Sequence, residues 1–242
     1  MTTLSMTTCL ATPPPPVLIV GMHNSGTSII SRLLHEHGVF IKAGMESHYE
    51  SLFFCHVNNV LIMGGGPNWS TLPIMSVKEV LSFERSVGPM LREMWLPEYQ
   101  RCGYDGVSRW GIKDPRLCVL LPLYLRVFPE ASIVHVRRNL DDIAASLCSR
   151  PKKHVGLVDD FTHWRMLGQA HENRAAEYGS KWGRYHVVSY EEFCLDSAAV
   201  ARNLFRFVGL KFTRQTDAFL KKEIYASSIG SYARYQARKA AA

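Results

Sequence analysis

The chain has 242 residues, of which 47% are hydrophobic and 20% charged, and its formal net charge is +7. These are the values of a globular chain with one large core, so they exclude a largely disordered protein and do not require a second domain. The positive charge favours anionic ligands, but the basic residues are dispersed rather than clustered among aromatic ones, and we therefore expect no nucleic-acid partner.

The first sixteen residues, MTTLSMTTCLATPPPP, are predicted to be a flexible leader that ends in a stiff polyproline spacer. This segment has neither a basic n-region nor an apolar run of membrane-spanning length. The six cysteines are scattered without a C-x-x-C pair, and the ten histidines show no metal-binding spacing. We therefore expect a reduced, cytoplasmic protein with no membrane span and no bound metal.

Residues 17–34, VLIVGMHNSGTSIISRLL, predict a buried strand, a glycine turn and an amphipathic helix. The spacing from Gly21 to Gly26 is that of a phosphate-binding loop, G-x-x-x-x-G-K-[ST], but Thr27 takes the place of the lysine. Backbone N–H groups at the helix N-terminus and the hydroxyls of Thr27 and Ser28 favour an anion there. The alternative is an ordinary glycine turn between a strand and a helix.

The next segment reads as a loop over 38–51 that enters a helix near Tyr49, which glycines 64–66 and a proline then stop. Residues 77–100 are mostly helical in period, with a break or kink predicted near Gly88 and Pro89. RWGIKDPRL then predicts a short strand ending at Lys113, and LCVLLPLYLRVF an apolar helix.

In the second half of the chain, predicted strands alternate with predicted helices. ASIVHVRRN is a predicted strand followed by the helix LDDIAASLCSR, and Arg137 and Arg138 stand at their junction, with Ser146 two helical turns further on. An arginine fork and a hydroxyl at this edge of a sheet would hold a second phosphate, whereas an isolated arginine pair is more often a solvated surface feature. Helices are predicted over 160–178 and over 197–208, the latter closed by Gly209, and GRYHVVSYEEF is a strand running into a helix.

This order predicts an α/β fold: a three-layer α/β/α arrangement with a central parallel sheet, similar to P-loop nucleoside triphosphatases. We assign residues 1–16 to the leader, 17–230 to one domain and 231–242 to a basic tail. Two features argue against a magnesium-bound triphosphate: the loop lysine is absent, and SIVHV runs into arginines instead of an acidic ligand. Both favour a ligand with a single phosphoryl group at the loop.

At this point the sequence resembles the sulfotransferases that use 3′-phosphoadenosine 5′-phosphosulfate (PAPS). GMHNSGTS is similar to their 5′-phosphosulfate loop, commonly G-M-H-R-S-G-T-S in bacterial members, and VRRNLDDIAASL to their 3′-phosphate motif, usually V-R-N-P-x-D-V-A-x-S. WGIKDPRL, VVSYEEF and SHYESLFFCHVNNVLI also match, and the segments fall in family order over residues 17–209. The resemblance implies metal-independent transfer of a sulfuryl group, with 3′-phosphoadenosine 5′-phosphate (PAP) as the product nucleotide.

The resemblance also implies roles for individual residues. It places the 5′-phosphosulfate on Ser25, Gly26, Thr27 and Ser28, and the 3′-phosphate on Arg138 and Ser146. His23, Asn24 and Tyr190 are further candidates for nucleotide contacts, although a tyrosine at a strand edge is more often a packing residue. Two positions depart from the pattern. Leu140 replaces a proline that opens a helix, and Asn24 replaces the usual lysine or arginine, so a neutral amide stands where a cation would stabilise the departing phosphate.

Catalysis needs charge stabilisation for the sulfuryl oxygens and a base for the acceptor proton. We assign the first role to Lys113, whose alternative is a surface lysine before a proline turn. Glu50, which matches the glutamate of the family's G-Y-F-E segment, is the first candidate for the base, and His48 is the second because an imidazole suits proton transfer near neutral pH. The alternative for each is a structural role, at a helix N-terminus for Glu50 and in a loop for His48. Asp114 is expected to orient Lys113 or Arg116.

The expected acceptor is an unidentified small molecule or carbohydrate that offers a hydroxyl or an amine, and Trp69 is placed either in its pocket or in a packed lid. Two other functions stay open. One is a P-loop nucleotide or small-molecule kinase, which requires magnesium-dependent ATP binding. The other is a PAPS-binding pseudoenzyme, which the neutral Asn24 motivates. The sequence does not determine the oligomeric state.

Overall fold

The computed structural model describes residues 12–45, 48–63, 70–150 and 160–240. The predictions made for residues 1–11, for the glycine break at 64–67 and for Trp69 lie outside these ranges.

The strands are β1 Val17–Val20, β2 Val39–Phe40, β3 Gly44–Met45, β4 Glu50–Ser51, β5 Arg109–Lys113, β6 Ser132–Arg137 and β7 Tyr185–Ser189. Five of them form a parallel sheet in the order β2-β5-β1-β6-β7, and β3 and β4 pair as a small antiparallel ribbon. In the sheet, Ile19 lies opposite Lys113, and Val20 lies opposite His135. The carboxyl ends of β1, β5 and β6 therefore meet at one edge, where open α/β sheets bind ligands.

The helices are α1 Thr27–Glu36, α2 Leu52–Met63, α3 Val77–Ser82, α4 Glu84–Arg101, α5 Leu117–Val127, α6 Leu140–Cys148, α7 Phe161–Ser180, α8 Tyr190–Leu195, α9 Ser197–Val208, α10 Arg214–Glu223 and α11 Ser231–Ala240. Successive residues of a strand point to opposite sides of the sheet, so both faces carry apolar side chains. The helices cover both faces and bury these side chains. Leu18 and Val20 join a core with residues of α2, α4 and α5, whereas Val17 and Ile19 join another with residues of α1, α9 and α10. The predicted three-layer α/β/α fold is thus confirmed.

Several helix boundaries follow from local capping, as the sequence suggested. The Asp160 carboxylate accepts the N–H of Thr162 at the start of α7, and Gly209 ends α9 in the left-handed conformation. Leu140 is the first residue of α6, and the Asn139 side chain caps this helix. Leucine therefore opens the helix at a position where the related motif has proline.

Three predicted boundaries were wrong. Val39 and Phe40 form β2 instead of part of a loop, because they pair with β5. The helix expected near Tyr49 begins only at Leu52, since the chain first makes the β3–β4 pairing. The sequence predicted a break or kink near Gly88 and Pro89, but α4 runs through both residues, and the helical segment is interrupted at Phe83, between α3 and α4. A single missing N–H at Pro89 does not end α4, whose other backbone bonds continue past it.

The C-terminal segment packs on the domain through Asp142 of α6. Its carboxylate accepts the backbone N–H of Gly230 at 2.9 Å and that of Tyr232 at 2.8 Å. The basic stretch 231–240 thereby forms a helix, α11, that lies against α6. Of the helices that the structure describes, none is long and apolar enough to span a membrane.

Candidate active site

The loop between β1 and α1 depends on glycine at its first position. A Cβ atom on Gly21 would lie 2.6 Å from the carbonyl oxygen of Val136 and 2.7 Å from the hydroxyl oxygen of Ser25. The Ser25 N–H closes the turn by donating to the carbonyl of Met22 at 3.1 Å. Any side chain at Gly21 would push the loop away from β6. Glycine is therefore required at this position by the close contact between the loop and β6.

The same loop presents the N-terminus of α1. Gly26 precedes this helix with φ of 95°, and no side chain among the described residues caps it. The hydroxyl of Ser25 is buried and has no hydrogen-bond partner within the described part of the chain. The first N–H groups of a helix have no partner within the helix, and together with the helix dipole they favour an anion at this point. The loop therefore has the donors of a phosphate site.

Tyr190 packs directly over this loop. A Cβ atom on Gly26 would lie 2.1 Å from Cδ2 of the Tyr190 ring, so glycine is again required by close contact. The guanidinium carbon of Arg138 lies 4.8 Å from the centre of the same ring, which is a cation–π distance. Tyr190, predicted as a nucleotide contact or a packing residue, thus joins the loop to Arg138.

Asn24 connects the two predicted phosphate sites. Its amide nitrogen donates to the hydroxyl of Ser146 at 3.0 Å, and its backbone carbonyl accepts from Nη1 of Arg138 at 2.9 Å. Nη2 of Arg150 donates to the amide oxygen of Asn24. Its φ of 65° is left-handed, a conformation that asparagine tolerates better than most residues. The loop is therefore in direct contact with the segment that carries Arg138 and Ser146.

The two neighbouring arginines at the end of β6 have different surroundings. Arg138 is almost fully buried, lies 3.6 Å from the Asp142 carboxylate and donates to the hydroxyl of Ser231 at 3.0 Å. Arg137 is half exposed and forms an ion pair with Glu172 of α7. Only Arg138 contacts the loop in this arrangement, so the two residues are not equivalent.

Lys113 stands at the end of β5 and brings the predicted catalytic residues together. Its ammonium lies 2.5 Å from Oε1 of Glu50, 3.3 Å from the hydroxyl of Ser28 and 3.3 Å from the backbone carbonyl of His48. The other oxygen of Glu50 accepts from Sγ of Cys55 at 3.2 Å. The Lys113 and Glu50 side chains are both buried, whereas His48 is exposed. An ion pair thus lies beside the phosphate loop.

Asp114 supports Arg116, one of the two partners expected for it. The fully buried carboxylate accepts from Nε of Arg116 at 2.9 Å and from the side-chain amide of Asn58 at 2.9 Å. Arg116 in turn donates to the side chain of Asn59. Both asparagines belong to α2, so this network fixes the start of α5 against α2.

His23 is buried near several basic side chains. Burial lowers the pKa of His23 well below its ordinary value, because the charged imidazole loses water. Coulombic interactions with His171, Arg116, Lys113 and Arg150 lower this pKa further. Of the three that stay charged near neutral pH, Lys113 pairs with Glu50 and Arg116 with Asp114.

The structure thus brings together the nucleotide-site candidates (His23 to Ser28, Arg138, Ser146 and Tyr190) and, beside them, Lys113, Glu50 and the backbone of His48. Sequence reasoning missed Arg150, although it follows Ser146 by four residues, a spacing of about one helical turn. It also missed Asp142, which stands four residues after Arg138, and Ser231, for which no local signal exists.

The sheet order, the glycine loop and the helix N-terminus define a P-loop-like α/β protein. The particular family follows from comparison with known proteins. The model of the sulfotransferase family matches residues 15–214, and the chain belongs to that family.

Individual relatives are distant in sequence. A curated uncharacterized protein of Aquifex aeolicus (strain VF5) is 23% identical, with 91% of this chain and 31% of that protein covered, so the chain spans about a third of its length. The sulfotransferase domain from the curacin biosynthetic pathway is 16% identical with a TM-score of 0.59, covering 91% of this chain and 84% of that one. The mouse sulfotransferase SULT7A1, complexed with PAP, is 12% identical with a TM-score of 0.50, covering 92% and 68%.

Proposed function

We propose that this protein is a PAPS-dependent sulfotransferase of the EC 2.8.2 type, which transfers a sulfuryl group to a hydroxyl or an amine of its acceptor. The observation that carries the proposal is the position of Asn24, which bonds Ser146 through its amide and Arg138 through its carbonyl. A loop for one phosphoryl group and an arginine–serine pair for another are thereby adjacent. A nucleotide with separate 5′ and 3′ phosphates matches this arrangement.

The chain's residues fit such a nucleotide. The N–H groups that begin α1 and the buried hydroxyl of Ser25 would hold the 5′-phosphosulfate, and the tight approach of Gly21 to β6 leaves the loop backbone open to it. Arg138 and Ser146 would hold the 3′-phosphate. The PAP complex of the mouse sulfotransferase, which has the same fold, supports this choice of ligand.

The donor would supply an activated sulfuryl group. In the proposed transfer the acceptor oxygen or nitrogen forms a bond to sulfur, the bond from sulfur to the 5′-phosphate oxygen breaks, and PAP leaves with the electron pair. Lys113, held between Ser28 and Glu50, would stabilise the negative charge on the sulfuryl oxygens. Glu50 would take the acceptor proton, with His48 as the second candidate.

The contact between Lys113 and Ser28 favours this reaction over phosphoryl transfer from ATP. In P-loop nucleoside triphosphatases the hydroxyl at the position of Ser28 holds magnesium. Here an ammonium group lies 3.3 Å from that hydroxyl. An acidic residue does follow β5, but the Asp114 carboxylate is already engaged by Arg116 and Asn58. We therefore rank a kinase below a sulfotransferase, and propose that transfer needs no metal.

We propose an unidentified small molecule or carbohydrate as the acceptor, and the cytoplasm as the compartment. For the latter, the cysteines at positions 55, 102, 118 and 194 are free thiols within the described part of the chain, which suits a reducing environment.

The test combines binding and turnover. Calorimetric titration with PAP should show binding to the full chain, and radiolabelled PAPS should transfer label to some member of a panel of alcohols, phenols, sugars and amines without added metal. Arg138→Ala should weaken PAP binding by about 10- to 100-fold, since it removes charge-assisted bonds. Arg137→Ala is the matched control, because that arginine pairs with Glu172, and it should bind PAP almost as the parent does.

Three results would reject parts of the proposal. Absence of PAP binding contradicts the two-phosphate site, and magnesium-dependent ATP turnover favours the kinase. Binding of PAP with no transfer to any acceptor on a broad panel favours the pseudoenzyme.

A further inference from the structure

Arg150 lies immediately beyond the helix that carries Ser146. Its backbone N–H donates to the carbonyl of Leu147 at 3.2 Å, and its side chain reaches the loop, where Nη2 donates to the amide oxygen of Asn24. The residue is only partly exposed. A cation is thereby held against the phosphate loop by an element that is distant in sequence.

The other cations of the site have carboxylate partners, whereas Arg150 has none among the residues that the structure describes. Lys113 pairs with Glu50, Arg116 with Asp114 and Arg138 with Asp142. Burial lowers the pKa of the Arg150 guanidinium, and no described carboxylate opposes this shift. A desolvated charge without a counter-ion is unfavourable unless an anion occupies the space beside it. The ligand of the loop is such an anion.

We propose that Arg150 binds the donor's 5′-phosphosulfate end and supplies there the positive charge that Asn24 lacks. The inference rests on the proposed function. Because Arg150 donates to the oxygen of the Asn24 amide, it also leaves the nitrogen of that amide directed at Ser146. The neutral side chains of Asn24 and Ser146 and the cation of Arg150 are then neighbours at the loop. Arg150 follows the end of α6.

The 5′ end is the nearer candidate because Asn24 leads directly into the loop. Arg150 touches the side chain of Asn24, which also bonds Ser146, and the next two residues along the chain are Ser25 and Gly26 of the loop. Arg138 reaches the backbone of Asn24 and is held from its other side by Asp142 and Ser231. The two arginines therefore approach Asn24 at different atoms, which suits contacts with different phosphates.

The experiment measures affinity for two nucleotides, PAP and adenosine 3′-phosphate, which lacks the 5′ group. Arg150→Gln in the full chain should weaken PAP by about 10- to 100-fold, the range expected for one charge-assisted contact. It should leave the affinity for adenosine 3′-phosphate within about twofold. Arg150→Lys keeps the charge and should retain PAP affinity within several-fold of the parent. Arg126→Gln, on an exposed arginine at the end of α5, controls for the loss of one surface charge.

The possible outcomes separate this inference from the proposed function. If the parent chain does not bind PAP, the proposed function fails and the inference falls with it. If the parent binds PAP and Arg150→Gln binds it equally well, only the inference fails. An equal loss for both nucleotides assigns Arg150 to the 3′-phosphate and overturns the inference, as does an equal loss in the Gln and Lys variants.

Discussion

Lys113 and Glu50 form a buried ion pair, with Nζ 2.5 Å from Oε1, although 63 residues separate them in sequence. The pair joins the end of β5 to the short β3–β4 ribbon, and Ser28 of the phosphate loop contacts its ammonium. Burying two charges is unfavourable unless each meets its partner with good geometry. The pair therefore holds the ribbon beside the loop.

Breaking this pair should cost stability. Lys113→Ala leaves the Glu50 carboxylate buried without its cation, and we expect the free energy of unfolding to fall by about 3–5 kcal/mol in chemical denaturation. Lys181→Ala, which removes the exposed pair with Glu177, is the control and should cost less than about 1 kcal/mol. Adding Glu50→Gln to Lys113→Ala should recover part of the loss. A double variant as unstable as the sum of both single variants would contradict the coupling.

The base assignment is tested by comparing Glu50→Gln with His48→Gln. If Glu50 takes the acceptor proton, its replacement should lower kcat by about 10²- to 10⁴-fold while PAP affinity stays close to that of the parent. His48→Gln should change kcat little, because the structure uses only the backbone carbonyl of this residue. Both are measured with radiolabelled PAPS and calorimetry. The reverse ranking would transfer the role to His48.

Gly26 should be irreplaceable for two separable reasons. Its φ of 95° is strained for any other residue, which costs about 1–2 kcal/mol. Its Cβ would also meet the Tyr190 ring at 2.1 Å, so Gly26→Ala should lose more than backbone strain alone explains. Gly183→Ala is the matched control, since φ there is 71° and no described atom lies within 4 Å of its Cβ.

The steric contribution of the Tyr190 ring can be measured separately in a chain that carries Tyr190→Ala. Combined with Tyr190→Ala, the Gly26→Ala substitution should cost no more than Gly183→Ala does, as measured by denaturant unfolding. Equal losses for Gly26→Ala and Gly183→Ala in the parent chain would show that the ring moves aside freely.

Acid should release the C-terminal helix through Asp142. Burial raises the pKa of this carboxyl, but the N–H groups of Tyr232 and Gly230 and the charge of Arg138 outweigh burial, and the pKa is lowered. A depressed carboxyl pKa contributes stability above the unfolded-state value, here near 3.8, and that stability is lost as the pH falls through the folded-state value. We therefore expect α11 to loosen only as the pH falls below 3.8 and through the lower pKa of the folded chain.

The measurement is amide hydrogen exchange over residues 231–240. Asp142→Asn should exchange faster than the parent at neutral pH and show a weaker acid dependence, because it has no carboxylate to titrate. The comparison of the two chains removes acid effects from elsewhere, such as the buried His171, whose pKa is lowered to about 4. Identical exchange in both chains would contradict the anchoring role.

Much of the fold was readable because the responsible interactions are local. The apolar run of β1, the glycines of the loop and the caps of α7 and α9 act within a few residues, so sequence spacing reports them. The short strand β2 was misread as a loop, since two residues carry no periodicity and only their pairing with β5 makes them a strand. The break placed at Pro89 fell at Phe83 for a similar reason: the neighbouring turns of α4 compensate for one missing donor.

By itself the sequence determined the parallel three-layer fold and predicted a phosphate loop and a second anion motif, because each pattern lies in contiguous residues. Only the tertiary structure decided which of two adjacent arginines contacts the loop, since Arg137 pairs with Glu172 while Arg138 reaches Asn24. It also brought a further cation, Arg150, to the side chain of Asn24. Arg150 lies 126 residues from Asn24, and no local pattern encodes a contact over that distance, because the packing of α6 against Met22 of the loop creates it.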